Sequence, residues 1–341
     1  MRLIINAPNV HSGGGFSLLS AIFEKLDEGF QGWALLDERM RISKSLPRRL
    51  VVQRTGPTIL GRLKGEWYLH KLAGRDDLVL CFGNLPPLFR LRAKVLLFIQ
   101  NRYQIEGRSL DGFPLFARLR IGLERLWFAW AKRNVNHFIV QTPSMQISFQ
   151  RFLRKPCVVL PFVQDPSGYS RGPFNSPTPS NGEVDFIYVA SGEPHKNHRN
   201  LIEAWILLSQ EGIRPKLFFT LEESRFPDLC AWIDNKKRSC DLNIENRANM
   251  CRNDLHELYR QASALIYPSD FESLGLPLIE ARCAGLSILA SERDYVRDVV
   301  DPEETFDPNS PVSIARAVKR FLEIPEKPLP VMDAREWLSK I

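Results

Sequence analysis

The sequence has no apolar run approaching the ~18–20 residues needed to cross a bilayer, so no membrane-spanning helix is expected. Its six cysteines, Cys81, Cys157, Cys230, Cys240, Cys251 and Cys283, are scattered and include no C-x-x-C pair. That argues against a zinc ribbon or a disulfide frame and for reduced, mostly buried thiols in a cytosolic protein. Met1-Arg2 is followed by only a few apolar residues before Asn6, too few for a secretory leader. His195 and His198 have no third metal ligand in view, so no metal is expected. There is no internal repeat and no long low-complexity tract.

What is present is ordinary in bulk and uneven in charge. The 341 residues suffice for two domains, with 44% apolar and 25% charged residues. Residues 1–170 carry 25 Lys and Arg against 12 Asp and Glu, whereas residues 171–341 carry 21 against 27. The net charge of +7 therefore joins a strongly basic half to an acidic one. A basic half implies an anionic partner, for which nucleic acid and the anionic cytoplasmic leaflet are the candidates.

Arg2–Ala7 reads as a strand, Ser12-Gly13-Gly14-Gly15 as a glycine turn, and Phe16–Leu26 as an amphipathic helix. Further strands are expected at Leu78–Phe82, Val95–Gln100, His137–Gln141 and Cys157–Leu160. Residues 165–183, rich in Pro, Ser, Gly and Asn, read as a linker. Beyond it the alternation restarts, with strands at Asp185–Ala190, Lys216–Thr220, Ala264–Tyr267 and Ser287–Ser291. Helices are expected at Arg199–Gln210, Asp228–Lys237, Asp254–Ala262 and Val312–Leu322. The pattern predicts an α/β protein of two parallel-sheet domains, residues 1–170 and 171–341, with the last residues packing back on the first domain. A ligand is expected between them, at the carboxyl ends of strands.

The most informative segment is residues 267–285. Glu272 and Glu280 bracket a turn containing Gly275 and Pro277, and a short helix Leu278–Ala284 follows, stopped by Gly285. Pro277 suits a first helical position. Such a turn offers backbone N–H groups and a positive dipole end to an anion, with a carboxylate on either side. A ligand with phosphate in the middle and hydroxyls at both ends fits, and nucleotide sugars have that form. A second strand–glycine–helix turn, Ala190-Ser191-Gly192-Glu193-Pro194-His195-Lys196-Asn197-His198, could set Lys196 on a phosphate or serve only as a turn.

In this order and spacing the pieces resemble retaining glycosyltransferases of family four, also called group 1, which have the GT-B fold. The resemblance rests on Gly13-Gly14-Gly15, Glu193-Pro194-His195-Lys196-Asn197, Pro268-Ser269, Gly275-Leu276-Pro277 and the pair Glu272-x7-Glu280, with weaker echoes at Val140–Ser144 and Thr305–Pro308. It implies two Rossmann-like domains facing across a cleft, the first on the acceptor side and the second binding the donor. It further implies that Glu280 holds the donor ribose and that Glu272 contacts the donor sugar. The diphosphate would fall to the backbone of Ser273, Leu274, Gly275 and Leu276 and to Lys196, with the Gly13–Gly15 turn approaching from the opposite domain. Glu272 and Lys196 are the catalytic candidates; no metal or other cofactor is implied. Two departures stand out. The family's usual arginine before the lysine is replaced by Ala190-Ser191-Gly192, and a histidine common in the first domain is replaced by Gln100-Asn101-Arg102. Gln100 and Asn101 can bond a sugar or cap a strand, and Arg102 can meet a phosphate.

The expected activity is transfer of a hexose-type sugar, with retention, from a UDP- or GDP-sugar to a saccharide or lipid-linked saccharide. Bacterial surface polysaccharide assembly is the implied context, in the cytoplasm or on the inner face of the cytoplasmic membrane. The alternatives are a GT-B nucleotide-sugar epimerase and a catalytically silent nucleotide-sugar binder. Nucleic acid is disfavoured because the two carboxylates would repel a phosphate chain. The stretch Phe113–Asn136 places Leu119, Leu123, Leu126, Trp127 and Trp130 near helical spacing, interleaved with Arg118, Arg120, Arg125, Lys132 and Arg133. It reads either as a core-facing helix with a solvated basic face or as an interfacial helix on anionic lipid.

Overall fold

A computed structural model describes residues 2–42, 46–167, 185–248, 250, 252–326 and 331–340. The first sheet contains β1 (Leu3–Ala7), β2 (Gly32–Asp37), β3 (Leu50–Thr55), β4 (Leu78–Cys81), β5 (Lys94–Phe98), β6 (His137–Val140) and β7 (Val158–Val159), all parallel, in the order β3-β2-β1-β4-β5-β6-β7. Helices α1 (Gly13–Glu24), α2 (Ile59–Leu72), α3 (Leu115–Ala131) and α4 (Pro143–Leu153) connect its strands. The second sheet contains β8 (Asp185–Tyr188), β9 (Lys216–Phe219), β10 (Ile244–Asn246), β11 (Ala264–Tyr267), β12 (Ser287–Ser291) and β13 (Glu304–Phe306), parallel, in the order β10-β9-β8-β11-β12-β13. Its helices are α5 (His198–Gln210), α6 (Pro227–Ser239), α7 (Arg252–Gln261), α8 (Leu276–Cys283), α9 (Asp294–Val299) and α10 (Pro311–Phe321), and α11 (Ala334–Leu338) lies near the C-terminus.

The buried runs of central strands explain why these elements were legible. Ala264–Tyr267 is inaccessible at every position, as a strand covered on both faces should be. β2, β3, β10 and β13 were not expected. β10 and β13 have only three residues each, and β3 is an edge strand whose Gln53 and Arg54 break the apolar pattern. The linker expected at 165–183, from residue 168 onward, and the boundary near 170 lie outside the described residues. Residues 331–340, expected to pack back on the first domain, are exposed throughout.

Both sheets share one topology, and it determines where a ligand can sit. In each, the order reverses beside the first strand, β1 in one sheet and β8 in the other. The crevice beyond the carboxyl ends of such strands is the ligand position of doubly wound folds. The Gly13 turn follows β1 and the Lys196 turn follows β8, so both stand at these reversals.

Several of the described contacts between domains meet residues 270–273, and others reach His195, whose ring lies 5.5 Å from that of Tyr103 between centroids. Arg102 Nη1 donates to the Glu272 carbonyl at 3.1 Å and Thr142 Oγ1 to the Ser273 carbonyl at 3.2 Å. Arg108 pairs with Asp270, and the Tyr103 ring meets Phe271 edge-on, 4.8 Å between centroids. Further along, Ser144 N donates to Asp298 Oδ2 at 2.8 Å, joining α4 to α9.

The stretch Phe113–Asn136 is helical over α3, but its orientation reverses the core-facing reading. Ile121, Phe128 and Ala131 are buried, while Leu119, Leu123, Leu126 and Trp130 are exposed. Trp127 is half-buried and donates from Nε1 to the Pro86 carbonyl at 2.9 Å.

Candidate active site

The segment after β11 forms a tight turn. Gly275 has φ +73°, a left-handed conformation that favours glycine, and a Cβ there would be a tight fit 3.0 Å from Leu278 Cδ1. Gly275 caps α8, whose helix begins at Leu276 with Pro277 second, one residue further in than the sequence suggested. At the far end Gly285, φ +80°, ends the helix: its N–H bonds the Arg282 carbonyl, and the Leu286 N–H bonds that of Ala281.

Glu272 points back from this turn into a dense polar cluster. Its Oε1 accepts from Lys196 Nζ at 2.5 Å, Ser269 Oγ at 2.6 Å and Tyr267 OH at 3.1 Å. Burial pushes the Glu272 carboxyl up, but the Lys196 ammonium and these hydrogen bonds more than offset it and hold it below the ordinary carboxylate range. The surrounding phenols of Tyr188, Tyr267 and Tyr295 are raised well above theirs, by burial first and by the Glu272 charge second, so they act as neutral donors. Tyr188 OH donates to the Lys196 carbonyl at 2.5 Å and Tyr295 OH to that of Ser269 at 2.7 Å. Tyr188 thus braces the lysine turn and Tyr267 and Tyr295 the glutamate turn, while the two turns are joined by Lys196–Glu272, by Ser269 Oγ donating to the His195 carbonyl at 3.2 Å and by Asp270 N donating to the same carbonyl at 2.9 Å.

Asn197 explains why an asparagine follows the lysine. Its φ of +63° is a conformation asparagine tolerates better than most residues, and it immediately precedes α5. Its Nδ2 donates to the Pro308 carbonyl at 2.5 Å and to the Pro268 carbonyl at 3.2 Å. The weak Thr305–Pro308 echo is therefore a structural support for the lysine turn. The Val140–Ser144 echo is likewise placed: Thr142 caps α4 and reaches Ser273, and Gln141 lines the cleft.

Glu280 sits one turn into α8 and accepts from Tyr259 OH at 3.1 Å. Across the cleft, Gly13–Gly15 form the first turn of α1 itself, where a separate loop was expected, with Ser12 as the residue before the helix. A Cβ on Gly14 would lie 3.3 Å from Leu276 Cδ1, and one on Gly15 3.1 Å from Gln100 Oε1. The α1 and α8 N-termini therefore face one another, and each leaves its first N–H groups without intrahelical partners. The space between them is a cleft of about 480 Å³ bordered by Gly13–Gly15, Lys196, Glu272–Pro277 and Glu280.

The expected site residues thus gather in one cleft, except Asn101 and Arg102. Gln100 lines it and is fixed by Nε2 donating to the Phe82 carbonyl at 3.0 Å. Asn101 and Arg102 instead border an adjoining chamber of about 370 Å³, shared with Phe113, Arg120, His195 and Glu272. Asn101 caps a short helical turn through Oδ1, accepting from Tyr103 N at 3.0 Å. Arg102 is committed to Glu106 Oε1 at 2.8 Å and to the Glu272 carbonyl.

The sequence reading missed one cation. Arg225, after β9, reaches the cleft beside Ser191 and Phe226, loosely paired with Glu222 at 3.7 Å and Glu193 at 3.9 Å. Only its position in space, 29 residues beyond Lys196 in the chain, reveals it.

Two Rossmann-like domains closing on such a cleft define a GT-B fold, the architecture of many nucleotide-sugar-dependent glycosyltransferases. Among solved structures, HepE of Anabaena bound to UDP-glucose is similar with a TM-score of 0.69 at 15% identity, over 95% of this chain and 90% of that one. The trehalose-6-phosphate synthase of Burkholderia multivorans is similar at a TM-score of 0.67 and 11% identity, over 95% and 89%. Residues 174–332 match the family model described as glycosyl transferases group 1. In sequence the chain is 30% identical over 139 residues to O-antigen chain mannosyltransferase B of Escherichia coli, 40% of this chain and 36% of that protein. It is also 30% identical over 162 residues to the serotype-specific mannosyltransferase WbdA of Escherichia coli, 45% of this chain and 19% of that protein. The matched region is thus about a third of the first relative's length and a fifth of the second's.

Proposed function

We propose that the protein transfers a hexose-type sugar from a UDP- or GDP-sugar to a saccharide or lipid-linked saccharide, with retention, in assembly of a bacterial surface polysaccharide. The observation that carries this is the placement of Lys196 and Glu272 as an ion pair between two opposed helix N-termini. A departing nucleoside diphosphate develops negative charge, and preorganised cations and N–H groups stabilise it in the transition state. Lys196 and the α8 N-terminus supply that on one wall, and the first turn of α1 faces them.

The two glutamates have separate tasks. Glu280, set along α8 from the anion position, accepts hydrogen bonds from the ribose. Glu272, with Oε1 held by three donors, stays ionised and orients the sugar hydroxyls through the remaining acceptor capacity of its carboxylate. Neither acts as the proton-transfer group of a glycosidase. The O-antigen relatives favour mannose and hence a GDP-sugar, whereas the HepE complex favours UDP; the donor base remains part of the proposal.

The reading is tested by incubating the protein with GDP-mannose or UDP-glucose and an oligosaccharide acceptor and reading the new anomeric linkage by proton NMR. A new linkage with the donor's configuration is expected. A linkage of inverted configuration removes the retaining assignment. Epimerised donor without transfer, or binding without turnover, replaces the reading with one of the two alternatives.

A further inference from the structure

We propose that α2 and α3 form a docking face for an anionic lipid surface, beside the mouth of the cleft. Large apolar side chains of α3 point outward: Leu115 (82% exposed), Phe116 (80%), Leu119, Leu123, Leu126 and Trp130. At ~100° per residue they fall in one stripe about 100° wide, opposite the buried face of Ile121, Phe128 and Ala131. The helix is amphipathic in the inverse sense for a surface helix of a soluble domain.

α2 repeats the arrangement. Ile59 (81% exposed), Leu60, Leu63 and Trp67 form a stripe of similar width, while Leu69 turns inward. The helices are neighbours. Leu69 and Phe128 share one core cluster, the Arg62 guanidinium lies 5.2 Å over the Trp127 ring, and Glu66 Oε2 of α2 accepts from Leu88 N at 2.8 Å in the segment that Trp127 also bonds. Two apolar stripes on adjacent helices exceed the scattered exposure normal on monomers.

The rim selects the occupant. Arg118 and Arg120 flank the α3 stripe, Lys132 and Arg133 follow its end, and α2 adds Lys64 and Lys71, the latter 3.6 Å over the Trp67 ring. Few acidic side chains oppose this rim: Glu66 is buried against Arg62 at 2.9 Å, Glu124 accepts from Gln104 at 2.9 Å and meets Arg120 only at 3.9 Å, and Asp111 meets Arg118 only at 4.0 Å. A second copy would press two basic rims together. Anionic headgroups neutralise the rim while the acyl boundary takes the leucines and tryptophans.

The face adjoins the site through α3. Arg120 and Ile121 line the chamber shared with Asn101, His195 and Glu272. A membrane on the stripe therefore brings lipid headgroups alongside that chamber, which suits an acceptor carried on lipid. This consequence rests on the transferase reading; the docking does not.

The test is co-sedimentation with phosphatidylcholine vesicles and with mixed phosphatidylcholine–phosphatidylglycerol vesicles at low and high salt. The account predicts roughly tenfold greater recovery with the anionic vesicles at low salt, lost as salt screens the rim. The triple variant Leu119→Gln, Leu123→Gln, Leu126→Gln should stay in the supernatant with unchanged melting temperature and unchanged nucleotide binding. Equal recovery with both vesicles, or a triple variant that pellets like the parent, overturns the proposal. So does a solution dimer that the triple variant dissociates, which would assign the face to a second copy. Loss of vesicle binding with nucleotide binding intact leaves the transferase reading standing.

Discussion

Lys196 Nζ lies 2.5 Å from Glu272 Oε1, joining two strand-to-helix turns 76 positions apart in sequence. The pair fixes the charge of the cleft before any ligand enters. The carboxylate is held ionised by the ammonium, and the ammonium is held on the wall of the cleft, the place the proposed function gives to a phosphate.

Removing the ammonium should therefore affect turnover more than affinity. Lys196→Ala is expected to lower kcat by about 10²–10³ with a smaller change in donor binding, the effect of deleting one donor to developing charge. It also leaves Glu272 buried without its cation, so its carboxyl should rise and the fold lose stability. Lys196→Arg, which keeps the charge, should recover stability ahead of activity. Steady-state kinetics and urea unfolding of both variants check this; full activity in Lys196→Ala refutes it.

Glu280 should behave in the opposite way. Its assigned partner is the nucleoside, so Glu280→Ala should weaken nucleotide binding by ~1.5–3 kcal/mol, the worth of a hydrogen bond to a charged group. Calorimetric titration with UDP and GDP measures it. Unchanged affinity for both would move the ribose elsewhere.

Arg225 is expected to stand in for the arginine absent at Ala190–Gly192. Its ion-pair distances of 3.7 Å and 3.9 Å mark loose pairing that a diphosphate can outcompete. Arg225→Ala should raise donor KM roughly tenfold at low salt, and less at high salt because the residue is half exposed. A KM equal to the parent's would leave Lys196 acting alone.

Acid should weaken the fold through His198. Burial pushes its imidazole down to about 3, and Lys196 adds to this. In the unfolded chain the group titrates near 6.5. Between those values the unfolded state binds more protons, so the contribution is complete above about pH 6.5 and is lost progressively toward pH 3. His198→Phe should lose less stability between pH 7.5 and pH 5 than the parent, by an amount on the order of 1–2 kcal/mol. Equal losses in urea titrations at the two pH values contradict this.

Much of this was legible because buried parallel strands are continuous apolar runs. Ala264–Tyr267 and Ser287–Ser291 were read with their observed bounds. Short or half-exposed strands such as β10 and β3 lack that signal. The donor-side residues were legible because Gly275, Lys196 and Asn197 each satisfy a local requirement of a turn. Arg225 was not, because it meets the cleft only through the fold. The face of α3 was undecidable because spacing gives a stripe but not its direction; the burial of Ile121, Phe128 and Ala131 decides it.

The most direct test of the central claim is thermal unfolding with UDP, GDP and their hexose sugars, for the parent protein and for Glu280→Ala. A ligand that binds only the folded state raises the melting temperature with its concentration. The account predicts a concentration-dependent rise with one nucleotide series, larger for the nucleotide sugar than for a simple phosphate, and diminished in Glu280→Ala. No rise with any nucleotide, or an equal rise in parent and variant, would contradict it.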